Sequence, residues 1–126
     1  ATIEAMEVEG IVENAQRIGD EVLRPGLEAL ASKHSIIGEV RGLGVFFALE
    51  LVTDRATKEP LAPYGSTSVA MNDIVAASRN EGLLIFTNYN RIHVVPPCTI
   101  TASEARDGLD RLDRALSVAD HYYSGE

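Results

Sequence analysis

A change of hydrophobic period constrains this chain more than any other feature. From Val40 onward apolar residues alternate, with Val45, Phe47, Leu49 and Leu51 on one side and Phe46, Ala48 and Glu50 on the other. That period of two is the mark of a strand with one face in a core. Either side of it the period is that of a helix: Ile11, Ala15, Ile18 and Val22 near the N-terminus, and Ala105, Leu109, Leu112, Leu116 and Ala119 near the C-terminus. A one-sided strand and striped helices bury their apolar surfaces together by packing helices against a sheet.

The intervening segments complete the pattern. A first helix is expected over residues 1–23, ending or kinking at Arg24 before Pro25, with Leu27–Lys33 adding another turn or two. Its stripe already runs at Ala1, Ile3 and Met6 with no capping residue ahead, as in a chain cut within a longer helix. The glycines of Arg41-Gly42-Leu43-Gly44 lead into the strand, and residues 53–66, rich in Pro and charge, are expected as a surface excursion. A helix over Ser68–Asn80 follows, with Ala70, Ile74 and Ala77 inward and Gly82 past its end. Two strands, Leu83–Phe86 and Arg91–Val95, flank the turn-forming Asn88-Tyr89-Asn90, and Pro96-Pro97 stops the second. Thr101 and Glu104 have capping-box spacing, and Asp107/Arg111 and Asp110/Arg114 have the spacing of helical ion pairs. The expected fold is one α+β domain over residues 1–126, a two-layer arrangement of a mostly antiparallel, three- to four-stranded sheet with helices packed on one face.

Charge and cysteine content exclude several functions. Eleven Lys and Arg against 19 Asp and Glu give a net charge of −8, and Lys33 and Lys58 are the only lysines, which is the wrong surface for nucleic acid or an anionic membrane. A lone cysteine, Cys98, makes no internal disulfide and has no ligand partners at metal spacing, so no metal is expected and a cytoplasmic location is the default. Cys98 is expected to be a small residue at least half-buried. No apolar run approaches the roughly 20 residues of a spanning helix.

Few residues present themselves for chemistry. Arg41 lies in a glycine-rich segment, but a strand follows it instead of a helix, so the segment reads first as a backbone turn and second as a cation facing a neighbouring domain or an anionic ligand. Arg91, at the mouth of a strand, is either a solvated edge arginine or a carboxylate-binding one. His93 alternates with Ile92 and Val94 and so points away from the core, either as a hydrogen-bonded structural residue or as part of a site. Lys33 reads as a cation compensating a helix end, and nothing near it suggests the desolvated pocket of a Schiff-base lysine.

Taken together, ATIEAMEVEGIVENAQRIGDEV, HSIIGEVRGLGVFFALELV and EGLLIFTNYNRIHVVPPCTITASEARDGLDRLDRAL resemble, collinearly, the C-terminal part of class III aminotransferases. The resemblance implies the small domain of a fold-type-I enzyme that uses pyridoxal 5'-phosphate to move an amino group from an amino acid or amine to a keto acid. It also implies a large domain upstream that holds the cofactor through its own lysine, a homodimeric parent, and a small domain that helps close the site. On this reading residues 1–126 hold no catalytic residue and bind no cofactor by themselves. Family members frequently place a carboxylate-binding arginine where this sequence has His93; Arg91 stands two residues earlier on the same side of the strand. Arg91, His93 and Arg41 are therefore the candidate substrate-binding residues. The rival reading is an independent α+β ligand-binding or regulatory module, and a domain serving only for pairing is a third.

Overall fold

The first helical segment, whose apolar stripe reads as unbroken, breaks at Gly10. A computed structural model describes residues Ala1–Glu126. In place of one helix over 1–23 there are two, α1 (Thr2–Val8) and α2 (Ile11–Ile18), separated by Gly10 in the left-handed region at φ 59°. Helix α1 buries no residue, and Ile3 and Val8 stand exposed. Helix α2 passes through a π-helical turn, Gly19–Leu23, into α3 (Arg24–Lys33) without stopping at Pro25. Proline cannot donate to the carbonyl four residues back and its ring crowds it; the widened turn directly ahead accommodates both.

The period-two run is the second arm of a hairpin. Strand β1 (Ile37–Leu43) and strand β2 (Phe46–Asp54) pair antiparallel from Ile37↔Leu51 to Leu43↔Phe46, joined by a two-residue turn whose first residue, Gly44, has φ 57°. Arg41 and Gly42 are therefore inside a strand, where a lead-in was expected. The excursion at 53–66 contains a short strand, β3 (Glu59–Pro60), paired back onto β2, and it buries Leu61 and Ala62. Two apolar residues closing a hairpin onto the core are too few to show a period.

Helix α4 (Val69–Asn80) is capped by Ser68, whose hydroxyl accepts from the Met71 amide. Strands β4 (Phe86–Asn88) and β5 (Arg91–Val94) form the last hairpin around Tyr89-Asn90, with Leu83–Ile85 an extended approach to β4 and no part of it. The sheet order is β1-β2-β5-β4, every pair antiparallel, with β3 beside the end of β2. Helix α5 (Ala102–Leu116) opens with the Thr101/Glu104 capping box and continues into a 3-10 tail, Ser117–Tyr122. Arg111 pairs with Asp107 at 2.7 Å as its spacing predicts, whereas Arg114 reaches across to Glu81 at 2.6 Å in preference to Asp110. This is the α+β fold that the sequence predicts, with a fifth, two-residue strand.

One continuous core lies between the layers. Phe47, Leu49, Leu51 and Ile92 project from the sheet onto Ile18, Leu27, Ile74, Leu112 and Leu116 of the helices. A polar clamp ties the end of α3 to α5. His34, fully buried, bridges Asp120 through Nδ1 at 2.9 Å and Asp113 through Nε2 at 2.6 Å, and Lys33 Nζ binds the second Asp113 oxygen at 2.6 Å. The Lys33 hydrogen bond, and after it that of His34, hold the Asp113 carboxyl below its usual range. Arg55 donates to the carbonyls of Ala31, His34 and Ile37, fixing the same corner.

Candidate functional site

Side chains at cross-strand partners share a face, so the register assembles the candidate site directly. Arg41 pairs with Ala48, Ala48 with His93, and His93 with Phe86, forming one row across four strands. Arg91 sits two residues before His93, opposite Glu50 and Asn88 in the next row. Two strand spacings separate Arg41 from His93 in backbone position, about 10 Å. All three predicted site residues therefore occupy one face of the sheet, the face turned away from the core formed by Phe47, Leu49 and Ile92.

The three differ in how they are held. Arg41 is engaged: its Nη1 binds Glu50 at 2.7 Å and Glu39 at 3.0 Å, and the Glu50 hydrogen bond raises its already high pKa. Its strand is pinned from below by Arg24, which donates to the Gly42 carbonyl at 2.6 Å while lying over the Phe47 ring. Arg41 thus organises the sheet face, its positive charge shared between two carboxylates, whereas Arg91 has none. Arg91 makes no ion pair, and its guanidinium lies 6.0 Å from the centre of the Tyr89 ring. Strand β5 lies between β2 and β4, so Arg91 belongs to an interior strand and is no edge residue. His93 packs edge-on to Phe86 with ring centres 5.2 Å apart, and its buried Nε2 has no hydrogen-bond partner. A buried ring nitrogen without a partner is costly unless something meets it, which singles it out among the polar atoms of this face.

Two concavities adjoin these residues. A groove of about 860 Å³ between the approach to β4 and α5 has His93, Phe46 and Phe86 on its wall. A smaller pocket of about 340 Å³ has Arg91 and Glu50 on one side and Lys58 and Tyr64 on the other. Lys58, Tyr64 and Tyr89 were invisible as site residues in the sequence, because only the fold-back of β3 brings residue 58 beside residue 91. Cys98 is exposed, contrary to expectation, since Pro96-Pro97 carries the chain off the sheet; its carbonyl accepts from Asn14 at 2.7 Å.

Residues 1–116 match the family described as Aminotransferase class-III. The chain belongs to the class-III aminotransferase family. It is 35% identical over 130 residues to a taurine–pyruvate aminotransferase of Bilophila wadsworthia, covering 98% of this chain and 27% of that protein. With the 4-aminobutyrate aminotransferase of Escherichia coli (strain K12) it is 32% identical over 120 residues, covering 93% and 26%. A solved structure of a taurine:2-oxoglutarate aminotransferase from Bifidobacterium kashiwanohense, in complex with PLP and glutamate, superposes with a TM-score of 0.86 at 29% identity, over 94% of this chain and 26% of that one. The chain thus spans about a quarter of the length of these class-III relatives.

Class-III aminotransferases use pyridoxal phosphate, and neither lysine of this chain is placed to bear it. A cofactor-bearing lysine needs a desolvated pocket that lowers its pKa. Lys33 is ion-paired with Asp113, and Lys58 sits exposed at the tip of the β2–β3 hairpin. No group of His, Cys, Asp or Glu is arranged to hold a metal ion, and no helix is long and apolar enough to cross a membrane.

Proposed function

We propose that residues 1–126 are the small domain of a larger class-III aminotransferase, which moves an amino group from an amino acid or amine to a keto acid with pyridoxal phosphate held elsewhere. The carrying observation is that Arg91 stands without an ion pair and His93 Nε2 without a partner, side by side on the sheet face turned from the helices. A cation without an ion pair, held on an interior strand, is suited to orienting a polar substrate end, and the histidine ring beside it fixes the shape of the same face. Arg41, locked between Glu39 and Glu50, keeps that face flat and in register.

The large domain of the same parent chain is the expected partner for this face, and a homodimeric parent fits the exposed Ile3, Val8 and Val12 of α1 and α2. A cytoplasmic location fits a single, exposed cysteine. The test is amino transfer by the complete gene product, with pyruvate or 2-oxoglutarate as acceptor, beside the 126-residue chain with added pyridoxal phosphate. Turnover by the former and none by the latter is expected. Turnover by the 126-residue chain, or a stoichiometric, borohydride-fixed cofactor on Lys33 or Lys58, contradicts the proposal.

A further inference from the structure

We propose that Asn90 is a positioning residue: its buried side-chain amide closes the last rung of the sheet beside Arg91 and so sets where that guanidinium stands. This role presupposes that Arg91 orients the polar end of the substrate, as proposed above. Strand β5 begins at Arg91, directly opposite Glu50 of β2, and the chain before it is already turning. In an antiparallel ladder, hydrogen-bonded partners exchange two bonds, one in each direction. Leu51 and Asn90 stand one step beyond the Glu50–Arg91 pair, and the Leu51 amide donates to the Asn90 backbone carbonyl at 2.8 Å. The return bond comes from the Asn90 side chain, whose Nδ2 donates to the Leu51 carbonyl at 2.9 Å. The side chain thus stands in for a backbone N–H and keeps the rung closed while the backbone leaves the sheet.

The turn itself has little with which to hold Arg91. Two residues, Tyr89 and Asn90, connect the paired Asn88 and Arg91, and neither is glycine. Hairpin turns of this length favour Asn-Gly or another pair containing glycine, so this pair does not select the geometry by its own preference. The Arg91 side chain makes no ion pair that would fix it from the other end. Backbone placement therefore decides where the guanidinium points, and the Asn90 amide is the side-chain contact that enforces it. The Leu51 carbonyl accepts a second bond, from the Leu61 amide at 3.0 Å, so one oxygen ties the β4–β5 turn to the chain that follows β3. Removing the Asn90 amide leaves that carbonyl still paired with Leu61, so no buried acceptor is orphaned and the fold is retained.

The test is made on the complete gene product carrying Asn90→Ala or Asn90→Asp. Aspartate keeps the shape of the side chain but turns an acceptor toward an acceptor. Asn90→Ala should raise KM for acidic donors about two- to tenfold, the range of one net hydrogen bond, with kcat and non-acidic donors nearly unchanged, and Asn90→Asp should fall at least as far. On an Arg91→Ala background Asn90→Ala should change nothing further, because it acts through the arginine. Hydrogen exchange of the same proteins reads the placement without turnover: the amides of Leu51 and of residues 88–92 should exchange severalfold faster in Asn90→Ala, with α3 and α5 unchanged. A loss equal for every donor, an additive effect on the Arg91→Ala background, or unchanged exchange overturns the role of Asn90. If Arg91→Ala itself shows no dependence on the donor, the functional reading of Arg91 fails, and exchange alone decides whether Asn90 holds the strand.

Discussion

Two helical glycines should respond to the same substitution with opposite signs. In a helix interior alanine is favoured over glycine by about 1 kcal/mol, because glycine loses more backbone entropy on folding. At Gly108 in α5 a new Cβ meets nothing within 4 Å, so that gain is realised in full. At Gly19 a Cβ would lie 2.1 Å from the carbonyl oxygen of Gly44 and 2.6 Å from its carbon. Both are backbone atoms of the β1–β2 turn, which cannot rotate away as a side chain does. Forcing the helix off a backbone oxygen only 2.1 Å away is an overpacking cost in the upper part of the usual range, about 2–3 kcal/mol, more than the propensity gain. Gly108→Ala should therefore stabilise by about 0.5–1 kcal/mol and Gly19→Ala destabilise by about 1–2 kcal/mol net. In urea unfolding followed by far-UV circular dichroism, with slopes of about 1–3 kcal/mol per molar, the midpoints should move apart by roughly 0.5–3 M. Equal midpoints, or a stabilised Gly19→Ala, would refute the close helix–turn contact that holds the strand of Arg41 in place.

Further outcomes follow from the clamp, the cap and the exposed helix. Thr101→Ala removes the hydroxyl that accepts from the Glu104 amide and should cost about 1 kcal/mol in thermal or urea unfolding, with Thr101→Ser close to wild type. Asp113 is depressed below its ordinary value of 3.8 chiefly by Lys33, so its contribution is complete above that value and is lost as pH falls through the lower folded-state value. Unfolding measured from pH 6 down to pH 2 should show a steeper loss for wild type than for Asp113→Asn; parallel curves would contradict the clamp. Deleting residues 1–9, none of which is buried, should leave the unfolding free energy from urea titration within about 0.5 kcal/mol of wild type.

The helices at both ends and the faces of β2 and β5 were legible because each has a single apolar side, and periodicity reports sides. The capping box and the Ser68 helix start were legible because their chemistry is local. Breaks decided by one residue's backbone were less so: Gly10 lies within an unbroken helical stripe, and Pro25 gives no sign that a π turn will carry the helix past it. The β1–β2 turn was misplaced because Arg41-Gly42-Leu43-Gly44 contains two glycines and only Gly44 turns. At the site, alternation along β5 placed Arg91 and His93 on one side, but no local signal shows that Arg41 is taken by Glu39 and Glu50. Lys58 joins Arg91 only through the pairing of β3 with β2, a non-local contact between residues that sequence spacing keeps apart.

The most direct test of the sheet face as the substrate-orienting surface is steady-state amino transfer by the complete gene product, comparing wild type with Arg91→Ala and His93→Ala across donors with and without an acidic group. The account predicts that Arg91→Ala raises KM for acidic donors at least tenfold with kcat nearly unchanged, as loss of a charge-assisted contact worth about 1.5–3 kcal/mol requires, and leaves non-acidic amines unaffected. It predicts that His93→Ala alters the preference among donors without abolishing turnover. Unchanged kinetics in both variants, or an equal loss for every donor, would contradict it.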